Sequence, residues 1–574
     1  MSSIASLGRA ASGLRAAQTG LQITGHNLSN VNTKGYTRQQ ALQHDSGYIT
    51  IGQNGGNLQQ VGLGVSITEI RQIRDEFADR RFRTENSVLN FYTAKQSATT
   101  EIESILDEPH GESISGMMED FWKQVQKLST NPSGVEERLA FIQTADVLMK
   151  RANQIMDGLN EYQQHVNTQV KDTVNDINRM LHSIQDLNES ISKAEINGDH
   201  ANDLRDQRNQ LLDDLSGLIN IDYYEGPDGK VVVKSEGRNL IDGPFIIEMN
   251  TKVVGNGSGF VVPTWSDTGK EVYKLDTVVS SGTGDDTGKL KGLLIARGPV
   301  NGGLSTTTWN DIALNDKESV DKLGNSYIVP KLQKQFSSLI SEIANVVNNT
   351  LSGTGIGDHK GAAGIPVFIP KYSTDGTTLP DCPKIEDFTI DGVVNDVEYA
   401  NRMQAYKNNI AKHLIAGNIQ VNPELLQDGG YNKLGTVSND LTTGDPDNIG
   451  DNSVITKLLD EWSKSREWPK EPEGGWKTPD GKAPASMPNI RHANFMDYYA
   501  EMVSEVGSEG SEYKGKIKEK NTLVTTIDNE RMAMGAVSQD EEMASMLKYQ
   551  YAYNAAARMV NVLDGMMDTI INKM

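Results

Sequence analysis

GHNLSNVNTKGYTRQQ, residues 25–40, decides how the two ends of this chain are built. Three Asn, two Gly and no acidic residue lie between a helix-like segment and Tyr36. The stretch reads as a turn that ends a helix and sends the chain elsewhere. Upstream of it, Ile4, Leu7, Ala11, Leu14, Leu21 and Leu28 recur at alternating steps of three and four, with Gln18 and Gly25 in the gaps. A helix over residues 6–28 is roughly 35 Å long. Gly8, Gly13 and Gly20 lie inside it, and each costs about 1 kcal/mol against Ala. Such a helix needs a partner to be ordered.

The other end of the chain offers one. Ala552, Ala556, Met559, Leu563, Met566 and Ile570 step by four and three, and Val560, Met567 and Met574 keep a seven-residue step beside them. Both ends are amphipathic helices without a local partner, and pairing with each other, within or between chains, is the economical solution. The alternative is two ordinary helices docked on a globular core. Between the ends, a near-heptad run from about Val135 through Ile155, Leu159, Val166, Val170, Ile177, Leu181, Leu187 and Ala194 predicts about 60 residues of helix, roughly 90 Å if unbroken. Helix resumes at 202–219. From Ile221 the alternation of IDYYEGPDGKVVV predicts a hairpin. A further amphipathic helix is expected at 328–351, a Gly- and Pro-rich mixed region at 353–485, and helix from 494 to the end. The fold class is therefore mixed and mainly α: paired terminal helices, a long-helix bundle as the body, and β-rich insertions in the middle.

Chemistry is sparse. The chain has 574 residues, 23% of them charged, and a net charge of −22, which repels phosphate backbones. The Arg-rich run at 71–86 is interleaved with acids and reads as i,i+4 pairs on a solvated helix, so no nucleic-acid partner is expected. One cysteine, Cys382, excludes an internal disulfide framework and Cys-based metal centres within one chain. No two of the nine His are spaced as a helical zinc pair, and there is no H-E-x-x-H or G-x-S-x-G. GTGDDTGKL (282–290) fails as a phosphate loop, with Thr283 and Leu290 where Gly and a hydroxyl are needed. DPDNIGDNSVIT (445–456) fails as a calcium loop at Ile449 and Thr456. No catalytic residue, metal or cofactor is expected, and no apolar run reaches the length of a membrane span. The start lacks a cleavable signal pattern. Six Met in the last 32 residues suit a face that packs against a partner.

SGLRAAQTGLQITGHNLSNVNTKGYTRQQ (12–40) resembles the N-terminal signature of the bacterial flagellar axial proteins of rod, hook and junction. Asn27, Asn30, Asn32, Thr33, Gly35 and Tyr36 match its Asn-x-x-Asn-x-Asn-Thr-x-Gly-Tyr core, and residues 541–571 are similar to the paired C-terminal signature. NDLRDQRNQLLDDLSGLI (202–219), GKLKGLLIARG (288–298), AGNIQVNPELL (416–426), GDNSVITKLLDE (450–461) and IRQIRDEFADRRFR (70–83) look like the junction members that join hook to filament.

The resemblance implies a structural, non-enzymatic subunit of the flagellum, exported through the type III channel without a cleaved signal to an extracellular site. It implies a ring of about eleven copies between the hook protein and a second junction protein. An export chaperone holds the C-terminal helix, and the terminal helices stay unpaired until assembly. Residues 1–45 with 540–574 would form an inner-tube unit, and 46–220 with 325–352 and 486–539 the long-helix body. Residues 221–324 would be a β-rich insertion and 353–485 a mixed one. In the turn, Asn and Gly would adopt left-handed backbone while Tyr36 packs the corner. The alternatives are another axial subunit of the hook type, or an adhesin or enzyme carried in the middle insertions.

Overall fold

The computed structural model describes residues 2–54, 57–106, 113–198, 200–255, 257–273, 286–312, 327–352, 356–357, 363–390, 393–438, 450–469 and 491–573. The phosphate-loop and calcium-loop look-alikes fall partly outside these residues.

Helix α1 (Ser2–Ser29) is followed by a two-stranded ribbon. In it β1 (Gln39–Asp45) pairs with β4 (Val65–Gln72), and β2 (Tyr48–Asn54) with β3 (Asn57–Gly62), all antiparallel. Next come α2 (Glu76–Leu106), α3 (Ile114–Thr130), α4 (Val135–Ala194) and α5 (Asn202–Leu218). Strands β5 (Asp222–Glu225), β6 (Val231–Ser235), β7 (Arg238–Asp242) and β8 (Phe245–Ile246) form a sheet in chain order, beside the pair β9 (Met249–Val253) and β10 (Val261–Trp265). The β5–β6 hairpin is the one its Pro-Asp-Gly turn predicts. The longer remaining helices are α6 (Lys289–Arg297), α7 (Ile328–Leu351), α8 (Asp396–Ala411), α9 (Ser453–Ser463), α10 (Phe495–Gly535) and α11 (Gln539–Lys573).

Helix α4 is the spine. It runs 60 residues without a break, and its apolar stripe serves two separate cores. Phe141, Leu148, Ile155 and Leu159 enter the first, with side chains from α2, α3, α7, α8, α9 and α10. Val166, Val170, Ile177 and Ile184 enter the second, with α5, α6 and the β5–β10 strands. A helix this long keeps one face dry only if different partners cover successive turns. The middle segments do that: Tyr399, Met403, Leu458 and Trp462 complete the first core, and Val233, Ile241 and Trp265 the second.

At the start of α4, the fully buried Arg138 ties the spine to a distant loop. Its Nε donates to the Pro132 carbonyl at 2.7 Å, Nη1 reaches the Tyr431 and Leu434 carbonyls at 3.2 and 3.4 Å, and Nη2 donates to the Thr436 hydroxyl. Arg138→Ala strips donors from buried carbonyls. It is expected to cost about 3 kcal/mol, visible as a lower urea midpoint with an unchanged slope.

The Arg-rich run differs from expectation. Its arginines do not pair at i,i+4 on a solvated face. They reach across helices: Arg83 Nε to Asp213 Oδ1 of α5 at 2.7 Å, and Arg81 to Glu530 of α10 at 3.4 Å. Arg531 of α10 answers with Asp79 and Asp213 at 2.8 and 2.6 Å. Helices α5 and α10 bring carboxylates to this stretch from far along the chain, which spacing within the stretch cannot reveal. Cys382 is half-buried, and burial pushes its thiol up to about 12, which makes it a poor nucleophile.

Candidate functional site

Neither core takes a side chain from α1 or α11. The two helices pair with each other within one chain, against the expectation that they stay apart until assembly. The seam also differs from the predicted stripes. On α1 the buried residues are Ala10, Ala16, Ala17, Gly20, Thr24 and Asn27, while Leu7, Ala11, Leu14, Leu21 and Leu28 are half-buried. On α11, Tyr549, Tyr553, Ala556, Val560, Leu563 and Met567 are half-buried, whereas Ala552, Met559 and Met566 are exposed. The side chains of Ile4 and Ile570 lie outside the described residues.

The physical reason is the size of the contact residues. Small residues let the helix axes approach, and the Tyr549 ring lies 2.6 Å from where a Gly20 Cβ would be. Leucines one position away are left to the flank. Gly20→Leu is expected to separate the helices, costing about 1–3 kcal/mol by overpacking, read as about tenfold faster limited proteolysis of α11. Gly8→Ala, where nothing lies within 4 Å, should not do so.

The turn at 30–37 forms the corner between this helix pair and the body. Asn27 is its hub. Its Oδ1 accepts from the Tyr36 hydroxyl at 2.8 Å and from the Gln39 backbone N–H at 3.0 Å. Its Nδ2 donates to the Gln39 carbonyl at 3.0 Å and to Glu542 Oε2 at 3.1 Å. Glu542, in the first turn of α11, is buried and also receives Arg38 Nε at 2.7 Å. Arg38 Nη1 meets Glu541 at 3.2 Å, and the Arg38 N–H donates to the Gly535 carbonyl at the end of α10.

The asparagines act differently from expectation. None takes a left-handed backbone; they hold the turn by side-chain hydrogen bonds, Asn30 Nδ2 donating to the His26 carbonyl and Thr33 Oγ1 to Asn30 Oδ1. The left-handed position falls to Gly35, with φ +80° and Gln210 of α5 against it. Asn32 and Thr33 are exposed. Tyr36 packs the corner, edge-on to His26, and burial raises its hydroxyl pKa well above the usual tyrosine range.

The body holds the other side of the corner. Asp206 of α5 accepts the Thr37 N–H at 3.0 Å, and burial pushes its carboxyl up to about 6. Asp203 accepts from Gln39 Nε2 at 2.8 Å and faces His26 at 3.1 Å. Asn202 and Gln72 exchange hydrogen bonds with the opposite backbones. Sequence reasoning missed Arg38, Asp203, Asp206 and Glu542. Asp203 and Asp206 lie in the island at 202–219 and Glu542 in the C-terminal signature segment, but nothing in their local spacing marks them as partners of the turn.

One array has the outline of a nucleophile relay. Thr374 Oγ1 lies 2.7 Å from His413 Nδ1, and Ser305 donates to Thr374 at 2.6 Å. Asp375 is 4.0 Å from the far ring nitrogen, and its Oδ1 is occupied by the Ser373 and Thr377 turn. The carboxylate therefore does not orient the imidazole. Among the described residues no group of three metal-ligating side chains occurs, and no helix is long and apolar enough to cross a membrane.

The chain thus presents a terminal helix pair outside the cores, joined by a polar corner to a long-helix body. The family model for the helical domain of flagellar hook-associated protein FlgK matches residues 99–368, and the C-terminal model of the flagellar basal body rod proteins matches residues 532–573. The chain is similar along nearly its whole length to flagellar hook-associated proteins. It is 26% identical to the Bacillus subtilis (strain 168) flagellar hook-associated protein 1 over 567 residues, 98% of this chain and 96% of that protein. The Salmonella typhimurium (strain LT2) protein of the same name is 24% identical over 602 residues, 99% of each chain. The solved structure of the flagellar hook junction protein FlgK from Burkholderia pseudomallei shares the fold, with a TM-score of 0.53 at 12% identity over 80% of this chain and 100% of that one.

Proposed function

We propose that this chain is a structural subunit of the bacterial flagellum that forms the junction between hook and filament and assembles through its terminal helices. The observation that carries this is the α1–α11 pair. It lies outside both cores and is anchored by Asn27 and Glu542. Its outer face on α11 is apolar: Met543, Leu547, Tyr551, Met559, Val562 and Met566, from 47% exposed at Met543 to 71% at Tyr551. So large an apolar stripe on one helix marks a packing surface for other subunits.

On this reading the half-buried leucines of α1 and the exposed residues of α11 form the contacts between copies. The partners are further copies in a ring of about eleven (a number taken from the family resemblance), the hook protein, a second junction protein and an export chaperone on α11. The subunit has no catalytic role and works outside the cell after export without a cleaved signal. The grouping of 1–45 with 540–574 draws support from the absence of terminal side chains from either core, whereas the middle segments share those cores with the long helices.

The test is electron microscopy of cells lacking the gene, with flagellin assayed in the medium. Hooks without filaments, and flagellin lost to the medium, are expected. Normal filaments would remove the junction role and return attention to the middle segments.

A further inference from the structure

The corner carries a set of titratable groups that its mechanical description leaves unused. Two imidazole–carboxylate pairs join the N-terminal elements α1 and β4 to the segment that opens α5. His26 of α1 faces Asp203 at 3.1 Å, and Glu69 of β4 faces His200 at 3.4 Å. Between them Asp206, buried and receiving the Thr37 N–H, has its Oδ1 without a hydrogen-bond partner. We infer that this corner is a pH-responsive joint, which tightens on mild acidification and loosens at neutral to alkaline pH.

The sign follows from each group. Histidine is the side chain that takes up a proton near neutral pH, and a positive charge on either ring faces a carboxylate. Asp206 works in the same direction. Its carboxyl is raised from 3.8 to about 6, first by burial, so the folded joint holds a proton that an opened one releases. Its contribution is fully present below pH 3.8 and is lost as pH rises through 6. The useful window is therefore about pH 5–7, around the raised carboxyl of Asp206.

The Arg74 charge and the hydrogen bonds from Thr37 work against proton uptake by Asp206, and burial outweighs them. Around Asp206 stand Arg74 of the segment after β4, with Nη1 at 3.8 Å, and Asp203, whose charge adds to the raised affinity for a proton. The Tyr36 hydroxyl is held neutral by burial and by Asp203, Asp206 and Glu542. His200 also feels Glu195, which is itself tied to Arg205. Arg38 is occupied by Glu541 and Glu542. The histidine pairs are half-exposed, so each is worth only a few-fold. Asp206, with its carboxyl raised to about 6, supplies about fourfold between pH 7.5 and 5.5.

The experiment is amide hydrogen exchange on the full chain at pH 5.5 and 7.5, corrected for the pH dependence of chemical exchange. The reporting amides are Arg38, Gln39 and Ile73, which donate across the corner to Gly535, Asn27 and Arg38. Their protection is expected to be at least about tenfold greater at pH 5.5, while amides in the middle of α4 do not change. Asp206→Asn should raise protection at pH 7.5 towards the acid value. His26→Gln with His200→Gln should reduce the remaining difference. Equal protection at both pH values overturns the proposal. So does a difference that persists unchanged in the triple variant, or one shared equally by α4.

Discussion

Removing residues 540–574 is expected to abolish filament attachment while leaving the body folded. The argument rests on where the apolar burial lies. Both cores are closed by residues between Phe91 and Tyr513, so the truncation opens neither. It removes the helix against which Ala17, Gly20 and Thr24 are buried, and it removes Glu542 from Asn27 and Arg38. Helix α1 then carries its internal glycines without a partner, at about 1 kcal/mol each, and an isolated helix of its length is marginal in water. Circular dichroism should show the loss of roughly two helices with little change in melting temperature. Cells should carry hooks and shed flagellin. If the truncated protein still supports filaments, the paired termini are not the assembly element.

Glu542→Ala tests the same element with one side chain. The carboxylate is buried, is held by two donors from the turn, and sits in the first turn of α11, where negative charge suits the helix dipole. Taking it away leaves the Arg38 guanidinium half of a pair and the Asn27 amide short of an acceptor. Breaking such a pair costs about 3–5 kcal/mol. Because no core residue is touched, the loss stays local: amide exchange in α11 should rise by two orders of magnitude or more, with α4 unchanged. Glu542→Gln keeps the shape and one acceptor, and should recover part of the effect. Unchanged exchange in Glu542→Ala would mean that the helix seam alone holds the termini.

The two predictions separate what each contact does. The α1 side of the seam is built from small side chains that larger ones of α11 cover, and the corner fixes its register. The corner is polar and specific. Gly20 against Tyr549 and Asn27 against Glu542 lie two turns apart on α1, one setting the distance between the axes and the other their relative position along them.

Much of this was legible in residue patterns. The 60-residue spine, the helix at 328–351, the β5–β6 hairpin and the amphipathic termini all follow from periodicity and turn chemistry, which are local. The turn at 27–36 was legible as a site because its residue types are concentrated there. The wrong stripe on α1 has a simple cause. Apolar periodicity marks leucines as the seam, but a close helix pair selects the smallest residues, and Ala10, Ala17 and Gly20 carry little hydrophobic signal. The cross-helix pairs of Arg81, Arg83 and Arg531 were hidden because their partners lie more than a hundred residues away.

By itself the amino-acid sequence determined the element types, the mainly α class, the resemblance to flagellar axial proteins and the presence of a special turn near residue 30. These depend on propensity and spacing within a few turns of chain. Only the tertiary structure decided that one helix serves two cores, that the middle segments complete those cores, and that Asn27, Arg38, Asp206 and Glu542 meet at one corner. Those facts depend on which distant surfaces exclude water together. Burial also decides which of many similar carboxylates is raised to about 6 and which stays an ordinary surface acid.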